Sequence, residues 1–143
     1  MDLLILGLRD AVAYEPSNNT YAIRLFHPKF SLNLPLQNSP NYIAIKEYIF
    51  SDMWPGQNFL GEVLFTQDHA RQIITDFEKK RDLCDTLLVH CLRGINRSPA
   101  VGIALNDLFN LGHDSEALKK KFEKTNWYVY EKLLEVGKIY LKQ

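Results

Sequence analysis

The chain has 143 residues, the usual size of one domain and enough to bury a core without disulfide or metal staples. Its 46% hydrophobic and 24% charged residues are the balance of an ordinary soluble globular protein. Basic and acidic residues number 17 each, and this neutrality argues against a nucleic-acid coat or a polybasic membrane binder while leaving room for one small anion pocket.

In chain order, the apolar stretch Leu3 to Leu8 reads as a first strand. It is short and lacks a positive leader, so no signal peptide is expected, and no run is long enough to span a bilayer. Asn18-Asn19 is turn chemistry before a second strand, Tyr21 to Phe26. His27 to Asn41, broken by proline and asparagine, reads as an irregular connection to a third strand, Tyr42 to Phe50. Ser51 to Gly61, with Pro55-Gly56 at its centre, is predicted to be an exposed loop. Thr66 caps a helix running to about Lys80, with Ala70, Ile73, Ile74 and Phe77 on one face.

Thr86 to Val89 is a short continuous apolar run, the mark of a strand buried on both faces. Ser98 and Pro99 suit the cap and first position of the next helix, which Gly112 ends. Asp114-Ser115 opens a short charged helix, and Asn126 caps the last one. Strands early and helices late, with one strand feeding a helix through a tight loop, predict a single α/β domain over residues 1–143. Its expected centre is a largely parallel sheet of about four or five strands flanked by helices. Cys84 and Cys91 lie on either side of the apolar run, about 20 Å apart if it is extended, so they cannot pair. Free thiols and the missing leader predict a cytoplasmic protein.

The informative stretch is His90-Cys91-Leu92-Arg93-Gly94-Ile95-Asn96-Arg97-Ser98-Pro99. A buried strand delivers a cysteine at its carboxyl end, where α/β folds bind ligands. The loop after it can curl so that its N–H groups face inward at a helix N-terminus, forming an anion nest. Gly94 permits a backbone angle that a side chain resists. The same field favours the anionic form of Cys91. Arg97 can reach back and grip two phosphoryl oxygens with its planar fork. A cysteine and arginine six positions apart are common by chance; the adjoining histidine, central glycine, following serine, preceding strand and following helix make the joint pattern specific.

At these residues the chain resembles the protein-tyrosine-phosphatase superfamily, in particular its small dual-specificity-like members. Their signature, His-Cys, five residues with a glycine third, then Arg-Ser or Arg-Thr, is matched at His90, Cys91, Gly94, Arg97 and Ser98. The resemblance runs from about Tyr48 to near the C-terminus and is looser upstream. It implies a phosphotyrosine protein phosphatase-like fold and a two-step reaction through a phosphocysteine, with no metal or organic cofactor. It further implies that the backbone of Leu92, Arg93, Gly94, Ile95 and Asn96, with Arg97, holds phosphate or sulfate. By the same resemblance His90 orients the loop and tunes the sulfur, and Ser98 hydrogen-bonds the departing thiolate.

The resemblance also requires an acid upstream to protonate the leaving oxygen. Asp52 is the first candidate, opening the loop Asp52-Met53-Trp54-Pro55-Gly56, although Ser51 stands where relatives often carry a second acid. Asp68 is the rival, and an acid in the first turn of a helix also serves the helix dipole without chemistry. Asp82 and Asp85 fall at the wrong end of the central strand. Trp54 and Phe59 either wall a pocket or pin the loop to the core, and Arg93 sits at the rim. Lys119 to Lys121 with Lys124 read as a solvated face.

The expected partner is a phosphorylated protein or a small phosphoester. The alternatives are an inositol phosphate, phosphoinositide or RNA 5′ phosphate substrate, disfavoured by a loop interior with one cation, and a silent phosphate-binding module. A rhodanese-type sulfur transferase fits worse, because its loop differs in length and lacks the Arg-Ser-Pro helix start.

Overall fold

The computed structural model describes residues 1–30, 32–57 and 60–142. Four strands, β1 (Asp2–Gly7), β2 (Thr20–Phe26), β3 (Tyr42–Ile49) and β4 (Thr86–Cys91), form one sheet in the order β1-β4-β2-β3 among the described residues. Every pairing is parallel, as expected from the sequence. β4 is buried along its whole length between β1 and β2, which is why its side chains form a continuous apolar run.

The helices are α1 (Leu8–Ala13), α2 (Gln67–Lys80), α3 (Arg97–Phe109), α4 (Ser115–Lys121) and α5 (Trp127–Tyr140), with a 3₁₀ turn at Arg81–Leu83. They load the sheet unevenly. Tyr21, Ile23, Leu25, Leu87, Val89 and Cys91 point to the face covered by α2, α3 and α5, which carries the main core. The alternate residues Ala22 and Leu88 form a smaller cluster with Ala11 of α1, flanked by the partly buried Leu4, Leu6, Tyr14, Leu36 and Tyr42. Among the described residues no helix is long and apolar enough to cross a membrane.

Most predicted elements stand where the periodicity puts them. Thr66 caps α2 through a capping box in which His69 takes the position usually held by glutamate or glutamine. Its Nδ1 accepts the Thr66 N–H at 3.0 Å and its Nε2 donates to the Ile49 carbonyl at 3.1 Å. Asp114 and Asn126 cap α4 and α5 as expected.

Three expectations need correction. α1 starts at Leu8, the residue expected to end the first strand, and fills positions for which no element was predicted; at six residues it is too short to show a helical period. α3 begins two residues earlier than the Ser-Pro signal suggests, with Asn96 at the N-cap position and Arg97 as its first residue, and it ends at Phe109, where Asn110 at φ +53° supplies the cap in place of Gly112. Ser98 is therefore inside the helix, its hydroxyl engaged elsewhere. The loop after β3 is only partly exposed: Ser51 and Met53 are buried, and Ser51 exchanges a backbone bond (2.7 Å) and a side-chain bond (2.9 Å) with Val63.

The loop between β4 and α3 rests directly on the end of β1. Gly94 has φ +76°, and a Cβ there would stand 2.5 Å from the Gly7 nitrogen and 2.7 Å from the Leu6 carbonyl carbon. Leu8 N–H donates to the Leu92 carbonyl at 3.0 Å, closing the contact from the other side. Both obstacles to a side chain are backbone, so neither can turn aside. Gly94→Ala should thus lower stability by at least about 2 kcal/mol, read as a shift in the midpoint of urea unfolding without a change in slope.

Candidate active site

Cys91 ends β4 with its side chain almost fully buried. The Gly94 N–H donates to its Sγ at 3.2 Å, and the Ser98 hydroxyl lies 3.2 Å from the same sulfur. Ser98 Oγ is also 3.3 Å from the Leu6 carbonyl. A thiol can donate to Ser98 while the hydroxyl donates to Leu6; a thiolate can instead accept a hydrogen bond from the hydroxyl. The sulfur thus sits at the start of α3, where unpaired N–H groups carry partial positive charge, with two donors able to hold its anionic form.

Arg97, the first residue of α3, is buried, and its Nη1 donates to the Phe50 carbonyl at 3.0 Å. That bond leaves Nε and Nη2, the side-by-side pair of the guanidinium, as the fork available to two oxygens. Phe50 directly precedes Ser51 and Asp52, so the same arginine joins the cysteine loop to the base of the Asp52 loop.

His90 points to the other face of the sheet, opposite Arg24 in the β2–β4 register. Arg24 Nε donates to His90 Nε2 at 2.9 Å, which fixes the proton of the ring on Nδ1, 3.4 Å from the Cys91 carbonyl. Burial, with Arg24 adding to it, pulls the imidazole pKa down from 6.5 to about 4, against the opposing Cys91 carbonyl bond. A neutral ring therefore lies behind the loop. Arg24 is itself buried, donates to the Leu34 carbonyl through Nη2, and lies 3.7 Å from Glu47 through Nη1. Sequence reasoning missed it; the available signal was an arginine inside the buried run Tyr21 to Phe26, a costly place for an unpaired charge.

The remaining loop residues divide by direction. Leu92 and Arg93 are exposed at the rim and Ile95 is half-buried. The Asn96 side chain turns away to donate to the Lys124 carbonyl at 2.7 Å. A narrow cleft beside the loop is lined by Leu25, Phe26, Phe30, Leu32, Leu92 and Arg97.

Asp52 is exposed, and its Oδ1 accepts from Asn126 Nδ2 at 2.8 Å. Asn126 in turn donates its backbone N–H to the Asn96 carbonyl at 2.9 Å, so two hydrogen bonds separate Asp52 from the cysteine loop. Asp68 is exposed in the first turn of α2, and none of its described contacts reaches that loop. Asp85 lies at the opposite end of the sheet, its N–H bonded to Asn19. Trp54 is 42% exposed, while Met53 is the residue that pins its loop. Phe59 lies outside the described residues.

No protein-family model matches the chain, and no curated protein does. Among solved structures, it is similar to human tyrosine phosphatase-like serine/threonine/tyrosine-interacting protein. That match has a TM-score of 0.54 and 20% identity over 86% of this chain and 80% of the other. A second match is Tk-PTP in the active form, at TM-score 0.49 and 15% identity over 82% of this chain and 80% of that one. The likeness is one of fold: the chain has a tyrosine-phosphatase-like α/β architecture.

The neutral imidazole has a thermodynamic consequence. His90 in the unfolded chain takes a proton below about pH 6.5, whereas in the fold it does so only near pH 4. The unfolded state thus binds more protons in that window, and the contribution to stability, complete above pH 6.5, is lost as pH falls through it. Between pH 7 and pH 5, urea unfolding of the wild type should lose about 2 kcal/mol more than that of His90→Gln. Parallel pH profiles for the two proteins would remove the assignment.

Proposed function

We propose that the protein hydrolyses phosphate monoesters through a cysteine nucleophile, acting on phosphotyrosine in proteins, with phosphoserine and phosphothreonine as further candidate substrates. The observation that carries this reading is the placement of Cys91 Sγ, within 3.2 Å of both the Gly94 N–H and the Ser98 hydroxyl at the start of a helix whose first residue is Arg97. The tyrosine-phosphatase-like fold supports it.

In the proposed reaction the Cys91 sulfur attacks phosphorus and the P–O bond to the leaving group breaks. Asp52 gives its proton to the departing oxygen. The backbone N–H groups of Leu92 to Arg97 and the Nε/Nη2 fork of Arg97 hold the three remaining oxygens, which is most of what phosphoryl transfer requires of a protein. Asp52, now a carboxylate, takes a proton from water as the water oxygen attacks the phosphocysteine. The S–P bond breaks, inorganic phosphate leaves, and the Ser98 hydroxyl supports the returning thiolate. No metal or organic cofactor enters the scheme, which belongs to a cytoplasmic protein.

A second reading keeps the phosphate site and drops the turnover. It is favoured by the description of the human fold neighbour as a phosphatase-like interacting protein. In that case the loop recognises a phosphorylated partner.

The two readings part on an activated aryl phosphate, whose leaving group hardly needs an acid. Turnover is expected for the wild type and none for Cys91→Ser. Asp52→Ala should reduce kcat on a phosphotyrosyl peptide by roughly 10²-fold or more and alter the activated ester far less. Binding of the peptide by the wild type without release of phosphate from either compound would favour the silent module, and an unchanged peptide rate in Asp52→Ala would remove that residue from the mechanism.

A further inference from the structure

We infer that Asn126 is the positioning residue that aims the Asp52 carboxyl at the cysteine loop, a role that rests on Asp52 being the acid of the proposed reaction. Asn126 is fully buried at the start of α5, and its polar atoms are all engaged. Its Oδ1 accepts the Val129 N–H at 3.1 Å, and its carbonyl accepts the Tyr130 N–H at 3.2 Å. Its Nδ2 donates to Asp52 Oδ1 at 2.8 Å and to the Met53 carbonyl at 3.3 Å, and its N–H donates to the Asn96 carbonyl at 2.9 Å.

Capping does not explain this residue. A helix cap needs only an acceptor, which serine, threonine or aspartate supplies as well as asparagine. The bond to Val129 N–H also settles the orientation of the amide, because only the oxygen can accept there; the nitrogen must then face Asp52. What asparagine alone adds to the cap is a buried N–H₂ group directed at an exposed carboxylate.

The consequence for the chemistry is geometric. A carboxylate on an exposed loop turns freely about two bonds. Fixing Oδ1 by a hydrogen bond leaves Oδ2 as the oxygen that carries the proton and fixes the direction in which it points. The anchor is shared, since the same residue holds Asn96 at the end of the cysteine loop and the Asn96 side chain holds Lys124. Acid and nucleophile are thereby registered to one buried point rather than to two independent loops.

Asn126→Asp tests the idea, because it keeps the capping acceptor, removes the donor and sets a like charge beside Asp52. Asn126→Ser, which keeps an acceptor without the charge, serves if the aspartate variant fails to fold by circular dichroism. Steady-state rates are measured on a phosphotyrosyl peptide and on an activated aryl phosphate, in wild-type and Asp52→Ala backgrounds. The variant should lose about tenfold or more in kcat on the peptide and less than about twofold on the activated ester. In the Asp52→Ala background it should cost nothing further. Equal losses on both esters, a full extra loss in the Asp52→Ala background, or an unchanged peptide rate would each overturn the inference while leaving Asp52 as the acid. If Asp52→Ala itself matches the wild type on the peptide, the acid assignment falls and takes this role with it.

Discussion

Two glycines facing each other hold the site together. Where the chain leaves β4 it must turn sharply enough to start α3 within a few residues, and Gly94 does so by pressing its backbone onto Gly7 at the end of β1. Neither position has room for a Cβ without a close approach to the other segment. That contact lets Leu92 accept from Leu8 and Ser98 meet the Leu6 carbonyl, so the edge strand β1 becomes the floor on which the cysteine loop lies. The direction in which Cys91 presents its sulfur follows from that floor, not from the strand alone.

The charge arrangement follows a similar economy. The ring of His90 is neutral, and the cation behind it, Arg24, is turned away from the sulfur toward β3 and the segment around Leu34. Beside the sulfur itself stand an amide N–H, a hydroxyl and the start of a helix. Such fixed dipoles would need no rearrangement in the proposed reaction as charge moved from sulfur to phosphoryl oxygens, the condition for electrostatic stabilisation to lower a barrier. A chain with no net charge can still gather donors at one point, and the bulk charge is uninformative about it.

Much of this was legible locally. The buried run of β4, the capping residues of α2, α4 and α5, and the joint spacing of His90, Cys91, Gly94, Arg97 and Ser98 all carry their signal within a few neighbouring positions. The misplaced start of α3 and the missed roles of Arg24 and Asn126 share a cause. Ser98-Pro99 has good capping chemistry, yet the sulfur and the Leu6 carbonyl compete for the hydroxyl, and the helix starts at Arg97 instead. Arg24 meets His90 across 66 residues, and Asn126 meets Asp52 across 74. Hydrogen bonds over such separations leave no periodicity, so Asn126 was readable as a cap and unreadable as a tether. The contact that sets Asp52 apart from Asp68, its bond from Asn126, is of the same long-range kind.

The strand order also governs how the molecule comes into being. β1 and β2 are near neighbours in the chain but not in the sheet; the strand that joins them, β4, is made last of the four. Without β4, the strands β1 and β2 have no partner in common, and the gap between them is lined by Leu4, Leu6 and Ala22. β4 both closes that gap and carries Cys91 at its end. Both of its pairings join segments far apart in the chain, the kind of contact whose loop closure weighs against fast folding.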